Sequence, residues 1–122
     1  MYKKILIATD GSATASKAVG VAASMAKAVG ADLLLVHVGD PEQGKAVLDE
    51  AEQRFGNGVV VHKRTVSGDP ADMICETAEK EGADLIVVGN KGMTGAKRFL
   101  LGSVPNQVSH AAPCNVLIVK TT

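Results

Sequence analysis

Five short apolar runs rich in β-branched residues alternate with longer stretches of helical periodicity, and this alternation constrains the fold more than any other feature. The first run, Lys4-Ile5-Leu6-Ile7-Ala8, leads into the polar turn Thr9-Asp10-Gly11-Ser12. From about Ala13 to Val29 the positions Ala15, Ala18, Val19, Ala22, Ala26 and Val29 recur at three and four, one continuous helical stripe closed by Gly30. Asp32 to Val38 is a second strand, apolar enough for both of its faces to be buried. Pro41 to Phe55 reads as a helix with Val47, Leu48, Ala51 and Phe55 inward, followed by the turn Gly56-Asn57-Gly58. In Val59 to Val66, valines alternate with His62 and Arg64, the pattern of an edge strand. Asp69-Pro70 opens the next helix as N-cap and first helical residue, Met73, Ile74, Thr77 and Ala78 face inward, and Gly82 ends it. Leu85 to Val88 is a fourth buried strand, Val104 to Ala111 a short helix stopped by Pro113, and Asn115 to Val119 the fifth strand.

Alternation with such short connections specifies a single-domain α/β fold, a parallel sheet with helices on both faces. Sheets of this kind start in the middle and wind outward in both directions, and ligands bind at the carboxyl ends of the strands where the winding reverses. If the first and fourth strands are neighbours, the turn at Thr9–Ser12 faces the segment that follows Val88.

That segment, Gly89 to Ser103, reads GNKGMTGAKRFLLGS. Gly89, Gly92 and Gly95 let backbone N–H groups turn toward an anion, and Lys91, Lys97 and Arg98 add positive charge. Gly102-Ser103 opens the next helix, with Ser103 at or near the N-cap and the positive end of the helix dipole beside it. These features read as a phosphate cradle. A glycine loop after a strand also serves as a plain tight turn, and basic loop residues are also found merely solvated.

Composition sharpens the alternatives. The 122 residues are 46% hydrophobic but only 2% aromatic, so the core is built from Val, Leu, Ile, Ala and Met packed closely rather than around an aromatic pocket. Net charge is zero, yet no Asp or Glu follows Asp84, and Lys91, Lys97, Arg98 and Lys120 leave the last third positive. A neutral chain with a positive glycine segment suits a small anionic ligand better than a nucleic-acid backbone. No signal peptide and no apolar stretch of membrane-spanning length is expected, and Cys75 and Cys114 lack metal-ligand spacing. A reduced, cytoplasmic setting fits these features.

Competing motifs are weaker. Gly39-Asp40-Pro41-Glu42-Gln43-Gly44-Lys45-Ala46 approximates a P-loop, but Ala46 replaces the hydroxyl that would hold Mg²⁺. Pro41 also removes an N–H, and Asp40 and Glu42 repel phosphate. His37, His62 and His110 are scattered, and His37 reads as a hydrogen-bonded core histidine. Cys114 reads as a small buried residue, and no hydrolase nucleophile motif is present.

The whole chain resembles the universal stress protein family, in its ATP-binding subgroup. The resemblance rests on Gly89-x-x-Gly92, nine residues, then Gly102-Ser103, together with KILIATDGS, LLVHV, SGDPADMI and GSVPNQVSHAAPCNVLIV. It implies a universal stress protein domain over residues 1–122 with strand order 3-2-1-4-5, Rossmann-like and similar to the adenine nucleotide alpha hydrolases. It further implies that Ala8, Thr9 and Asp10 line a nucleotide site, with Asp10 near the ribose or a phosphate-bound Mg²⁺ (or Mn²⁺). Val38 and Val88 would meet the adenine, Gly89, Lys91, Gly92, Gly102 and Ser103 would hold ribose and phosphates, and Val104 would complete the site. Asp10 has an alternative role as the cap of its own turn. Two departures stand out: Ala8 occupies a position where ATP-binding members often carry Pro, and the connection after the second strand is much shorter than is common.

The implied function is an ATP-binding stress-response or regulatory module with at most slow ATP turnover. The alternatives are a member that acts through protein contacts without ATP, and a true ATPase or nucleotidyl transferase. The last is the weakest, because Asp10 is the one evident general base and no arginine is placed as a finger. In the order 3-2-1-4-5 the apolar run Val116–Val119 lies on a sheet edge, which invites a homodimer through the last strand; no nucleic-acid or membrane partner is implied.

Overall fold

The computed structural model describes residues 1–91 and 103–121. Five strands form one parallel sheet: β1 (Lys4–Ala8), β2 (Asp32–Val38), β3 (Val61–Val66), β4 (Leu85–Gly89) and β5 (Asn115–Val119), in the order β3-β2-β1-β4-β5. Four helices connect them: α1 (Ala13–Val29), α2 (Pro41–Phe55), α3 (Pro70–Glu81) and α4 (Ser103–Ala111). The register pairs Ile5 with Leu33 on one side and with Leu85 on the other, so β1 and β4 are neighbours at the sheet centre.

Alternation along the strands produces two cores. Ile5, Ile7, Leu33, Leu35, Leu85 and Val87 face α1 and α2, where Ala18, Val19, Ala22, Ala26, Leu48 and Ala51 meet them. Leu6, Leu34, Val36, Ile86 and Val88 face the other way, against Ala71, Ile74 and Ala78 of α3 and Val104 and Val108 of α4. The alanines of α1 let the helix axis approach the sheet closely, so branched side chains on the strands fill the space, with the aromatic rings of Tyr2 and Phe55 packed only at its margin. Each of the fully buried Leu and Ile side chains contributes about 1.5–3 kcal/mol.

The helix ends follow local chemistry. The side chains of Ser12, Asp40 and Asp69 accept from the N–H of Ala15, Gln43 and Asp72, respectively, each satisfying an otherwise orphaned donor. Gly30 and Gly82 both close their helices with φ 74, the left-handed conformation in which a side chain would be strained.

Four expectations are corrected. β3 begins at Val61 rather than Val59, because Val59 is used in the turn, its N–H donating to Gly56 O at 3.2 Å. Val29 is 42% exposed, so the α1 stripe ends at Ala26, where the helix has passed the sheet. His37 is buried, but its Nδ1 has no hydrogen-bond partner among the described residues. β4 also runs one residue further than its apolar run, through Gly89.

As its alternation indicated, β3 is an edge strand. Lys63 reaches Asp49 at 3.0 Å and Glu52 at 2.6 Å, and Arg64 grips Glu81 through both Nε (2.9 Å) and Nη2 (3.2 Å). The two lysines beside Asp49 hold its carboxyl below the usual range, and Arg64 does the same for Glu81. These charges mark the β3 edge as one protected against pairing with another chain.

Candidate functional site

The winding reverses between β1 and β4, and a narrow cleft opens there at the carboxyl ends of the strands. Ala8 closes β1 and Val88 and Gly89 close β4; all three line the cleft, with Val104 from the first turn of α4. The opposite wall is Thr14, Ala15 and Ala18 from the start of α1, and Thr121 completes it after β5. The walls are built from small side chains. A Cβ at Gly89 would stand 3.4 Å from Thr121 Cγ2 and 4.0 Å from Ala18 Cβ, so glycine keeps this end of the cleft open.

The turn beyond Ala8 is shaped by its own side chains. Thr9 is buried and its N–H donates to Val36 O at 2.9 Å, which anchors the turn to the sheet. Thr9 Oγ1 accepts from Gly11 N at 3.1 Å, and Asp10 Oδ1 accepts from Ser12 N at 2.9 Å. The turn-capping role of Asp10 is thus present in the structure. Asp10 itself is half-buried, two residues beyond Ala8 at the end of β1.

Of the residues singled out from sequence, Ala8, Val88, Gly89 and Val104 come together as cleft walls, with Thr9 and Asp10 adjoining them in the chain. Lys91 lies two residues beyond Gly89 and is half-buried. Ser103 is the exposed first residue of α4. Val38 ends β2, where it packs beside the α3 core and pairs with Val66, one strand away from the cleft. Gly92 and Gly102, together with Lys97 and Arg98, lie outside the described residues.

Sequence reasoning missed the α1 wall and Thr121. The spacing of Ala15 and Ala18 marks them as helix-interior residues, and only the cleft shows that they also border a space. Thr121 carries no local signal at all. Among the described residues no group of three His, Cys, Asp or Glu side chains could hold a metal ion, and no helix is long and apolar enough to cross a membrane. Cys75 and Cys114 are half-buried beside the α3 core, and burial raises both thiols above their ordinary range, the state of packing residues rather than nucleophiles.

The P-loop-like stretch has a structural explanation. Asp40 caps α2, Pro41 is its first residue, and Lys45 is paired with Asp49 at 2.7 Å on the exposed face. Gly44 lies against His37 and Thr65.

The sequence matches the model of the universal stress protein family over residues 1–54 and 41–120. The overlap of the two segments falls within α2, which follows β2 through the two-residue link Gly39-Asp40. The chain is similar to universal stress protein MJ0531 of Methanocaldococcus jannaschii, with 37% identity over 141 aligned positions covering 98% of this chain and 83% of the relative. It is also similar to universal stress protein YxiE of Bacillus subtilis, with 33% identity, 98% of this chain and 100% of the relative. A crystal structure of a universal stress protein in complex with cAMP superposes with a TM-score of 0.86 at 36% identity, covering 99% of this chain and 98% of that one. With the family match spanning nearly the whole chain and the fold shared with solved members, this chain belongs to the universal stress protein family.

Proposed function

We propose that this protein is a nucleotide-binding regulatory module of the stress response, holding ATP with Mg²⁺ (or Mn²⁺) in the cleft between β1 and β4. One observation carries the proposal: at the switch point of the sheet, where ligands of this architecture bind, the ends of β1 and β4 and the starts of α1 and α4 converge on a narrow cleft walled by the small residues Ala8, Ala15, Ala18 and Gly89. The first turn of α1 contains no acidic residue, and the same holds for α4, so both helix ends facing the cleft tolerate a phosphate. A similar protein has been crystallised with cAMP, which supports an adenine nucleotide as the ligand class.

In this reading Thr9 and Asp10 adjoin the ribose and phosphates, with Asp10 as the protein contact of a phosphate-bound metal. Gly89, Lys91 and Ser103 hold phosphate and ribose, Val88 and Val104 form the apolar wall, and Val38 meets the adenine edge. Gly92 and Gly102 join this set on sequence alone. The proposal extends to a single domain over residues 1–122, a cytoplasmic location, and a homodimer through β5. Val116 to Val119 are half-exposed on that edge, in contrast to the charge-protected edge at β3. The same exposed edge favours the second reading, a stress protein that works through protein contacts without ATP.

The test uses protein purified without added ligand, with nucleotide content read by mass spectrometry after denaturation. ATP with Mg²⁺ is then titrated in a thermal melt. At 100 times its Kd, ATP stabilises the protein by roughly 2.7 kcal/mol, a rise of about 8–15 °C for a domain of this size. Gly89→Val fills the cleft and should remove the rise. No rise in the wild type at millimolar ATP would give the protein-contact reading the stronger claim.

A further inference from the structure

Thr121 is a polar residue outside any helix or strand, yet it is only 4% exposed. Its burial has a specific cause. The Asn90 side-chain oxygen accepts both from Thr121 N at 2.9 Å and from Thr121 Oγ1 at 3.0 Å. Lys17 Nζ donates to Thr121 O at 3.3 Å, so the residue is held from α1 as well. Asn90 N donates to Val119 O at 2.8 Å, carrying the β4–β5 ladder one step past the end of β4. The Asn90 side chain then continues that pairing where the backbone leaves the sheet. Pinned in this way, the Thr121 methyl stands against Gly89 and closes the β5 side of the cleft.

We infer that Asn90 is a positioning residue for the nucleotide cleft, acting through Thr121: it pins the segment after β5 against Gly89 and so sets the width of the cleft at its phosphate end. The inference rests on the nucleotide reading of that cleft. Its physical basis is pre-organisation. A wall held by two hydrogen bonds to one carboxamide oxygen is already in the binding arrangement, whereas an unpinned wall must be ordered each time the ligand binds. Affinity then falls by the fraction of molecules in which the wall is in place. Asn90 and Thr121 are 31 residues apart, so the pin also ties the exit of β4 to the end of the β5 edge strand.

The experiment measures Mg-ATP affinity by calorimetry on the full chain for wild type, Asn90→Ala, Thr121→Val and Thr121→Ser, with each apo melting temperature recorded. Asn90→Ala removes the shared acceptor and should weaken ATP by about tenfold. Thr121→Val keeps the shape and the backbone bond but loses the hydroxyl bond, and should weaken it about threefold to fivefold. Thr121→Ser keeps the hydroxyl bond to Asn90 but loses the methyl that lies against Gly89, and should bind between wild type and Thr121→Val. A purely structural role would lower melting temperatures without this order of affinities. Equal affinity of wild type, Asn90→Ala and Thr121→Val overturns the inference and leaves the nucleotide reading standing. So does a Thr121→Ser protein as weak as Thr121→Val. If Asn90→Ala fails to fold, the two Thr121 variants decide. If wild type itself binds no ATP, the nucleotide reading falls and takes the inference with it.

Discussion

Replacing Gly44 by Ala tests whether this glycine serves packing or ligand binding. Gly44 lies in the first turns of α2 and is buried against β2 and β3. A Cβ there would stand 2.5 Å from Thr65 Cγ2, 2.8 Å from His37 Nδ1 and 3.2 Å from His37 Cγ. Helix propensity alone favours Ala over Gly by at most about 1 kcal/mol. Against this, a methyl forced into a filled space costs about 1–3 kcal/mol. His37 has little room to yield, being 6% exposed on β2 between two neighbouring strands. Thr65 can yield further, because it sits on the exposed edge strand. We therefore expect Gly44→Ala to destabilise by about 1 kcal/mol net, a fall in melting temperature of about 3–6 °C.

The double variant Gly44→Ala/Thr65→Ser removes the nearest opposing methyl. It should recover at least about 0.5 kcal/mol relative to additivity, since the two positions touch. Melts in triplicate resolve such differences, and Lys45→Ala serves as the ligand control. A phosphate loop at residues 39–46 requires Lys45→Ala to lose the ATP-dependent shift; the packing account requires the shift to stay, because Lys45 is occupied with Asp49 on the exposed face. A Gly44→Ala protein that melts at or above wild type would refute the packing argument.

Asp10→Ala should weaken metal-dependent nucleotide binding with little change in melting temperature, because the residue sits in a turn outside both cores; unchanged Mg-ATP affinity would reduce Asp10 to its bond with Ser12 N. Leu117→Lys should lower the mass seen by light scattering at high micromolar protein, since it places a charge on the half-exposed β5 edge; a wild type that is already monomeric there contradicts the dimer. Arg64→Ala should remove a pH-dependent stabilisation. The folded-state pKa of Glu81 is held down by Arg64, so the contribution is present above the ordinary Glu value of about 4.3 and fades as pH falls through the lowered folded value. Wild type and Arg64→Ala should converge in melting temperature in acid, and a gap that persists at low pH would mean that Arg64 acts through packing instead.

The fold was legible because its determinants are local. Apolar runs, capping residues such as Asp69 and helix-ending glycines such as Gly82 each act within a few residues, and together they leave one architecture. The miss at Val59 has the same origin, since a valine inside a turn looks from sequence like a valine in a strand. The glycine and serine pattern can be assigned to the carboxyl end of the sheet for the same local reason: it follows β4 and precedes α4, and β4 adjoins β1. The remaining cleft walls depend on contacts distant in the chain. Ala18 reads as a core residue by its spacing and borders the cleft only because α1 crosses the end of β4. Thr121 meets Asn90 only because β5 pairs with β4 in the register Gly89–Val119, which places the next residues of both strands side by side. A polar side chain after the last strand is ordinarily solvated, so nothing in its own neighbourhood foretells burial. His37 shows the converse case. Its strand position correctly indicates burial, but whether Nδ1 finds a partner is decided by α2, whose Gly44 brings a helix backbone against the ring and supplies no side chain to bond it. Side-chain partners across elements are therefore where the site departs from what sequence can resolve, and in this protein those partners are also the residues on which cleft shape depends.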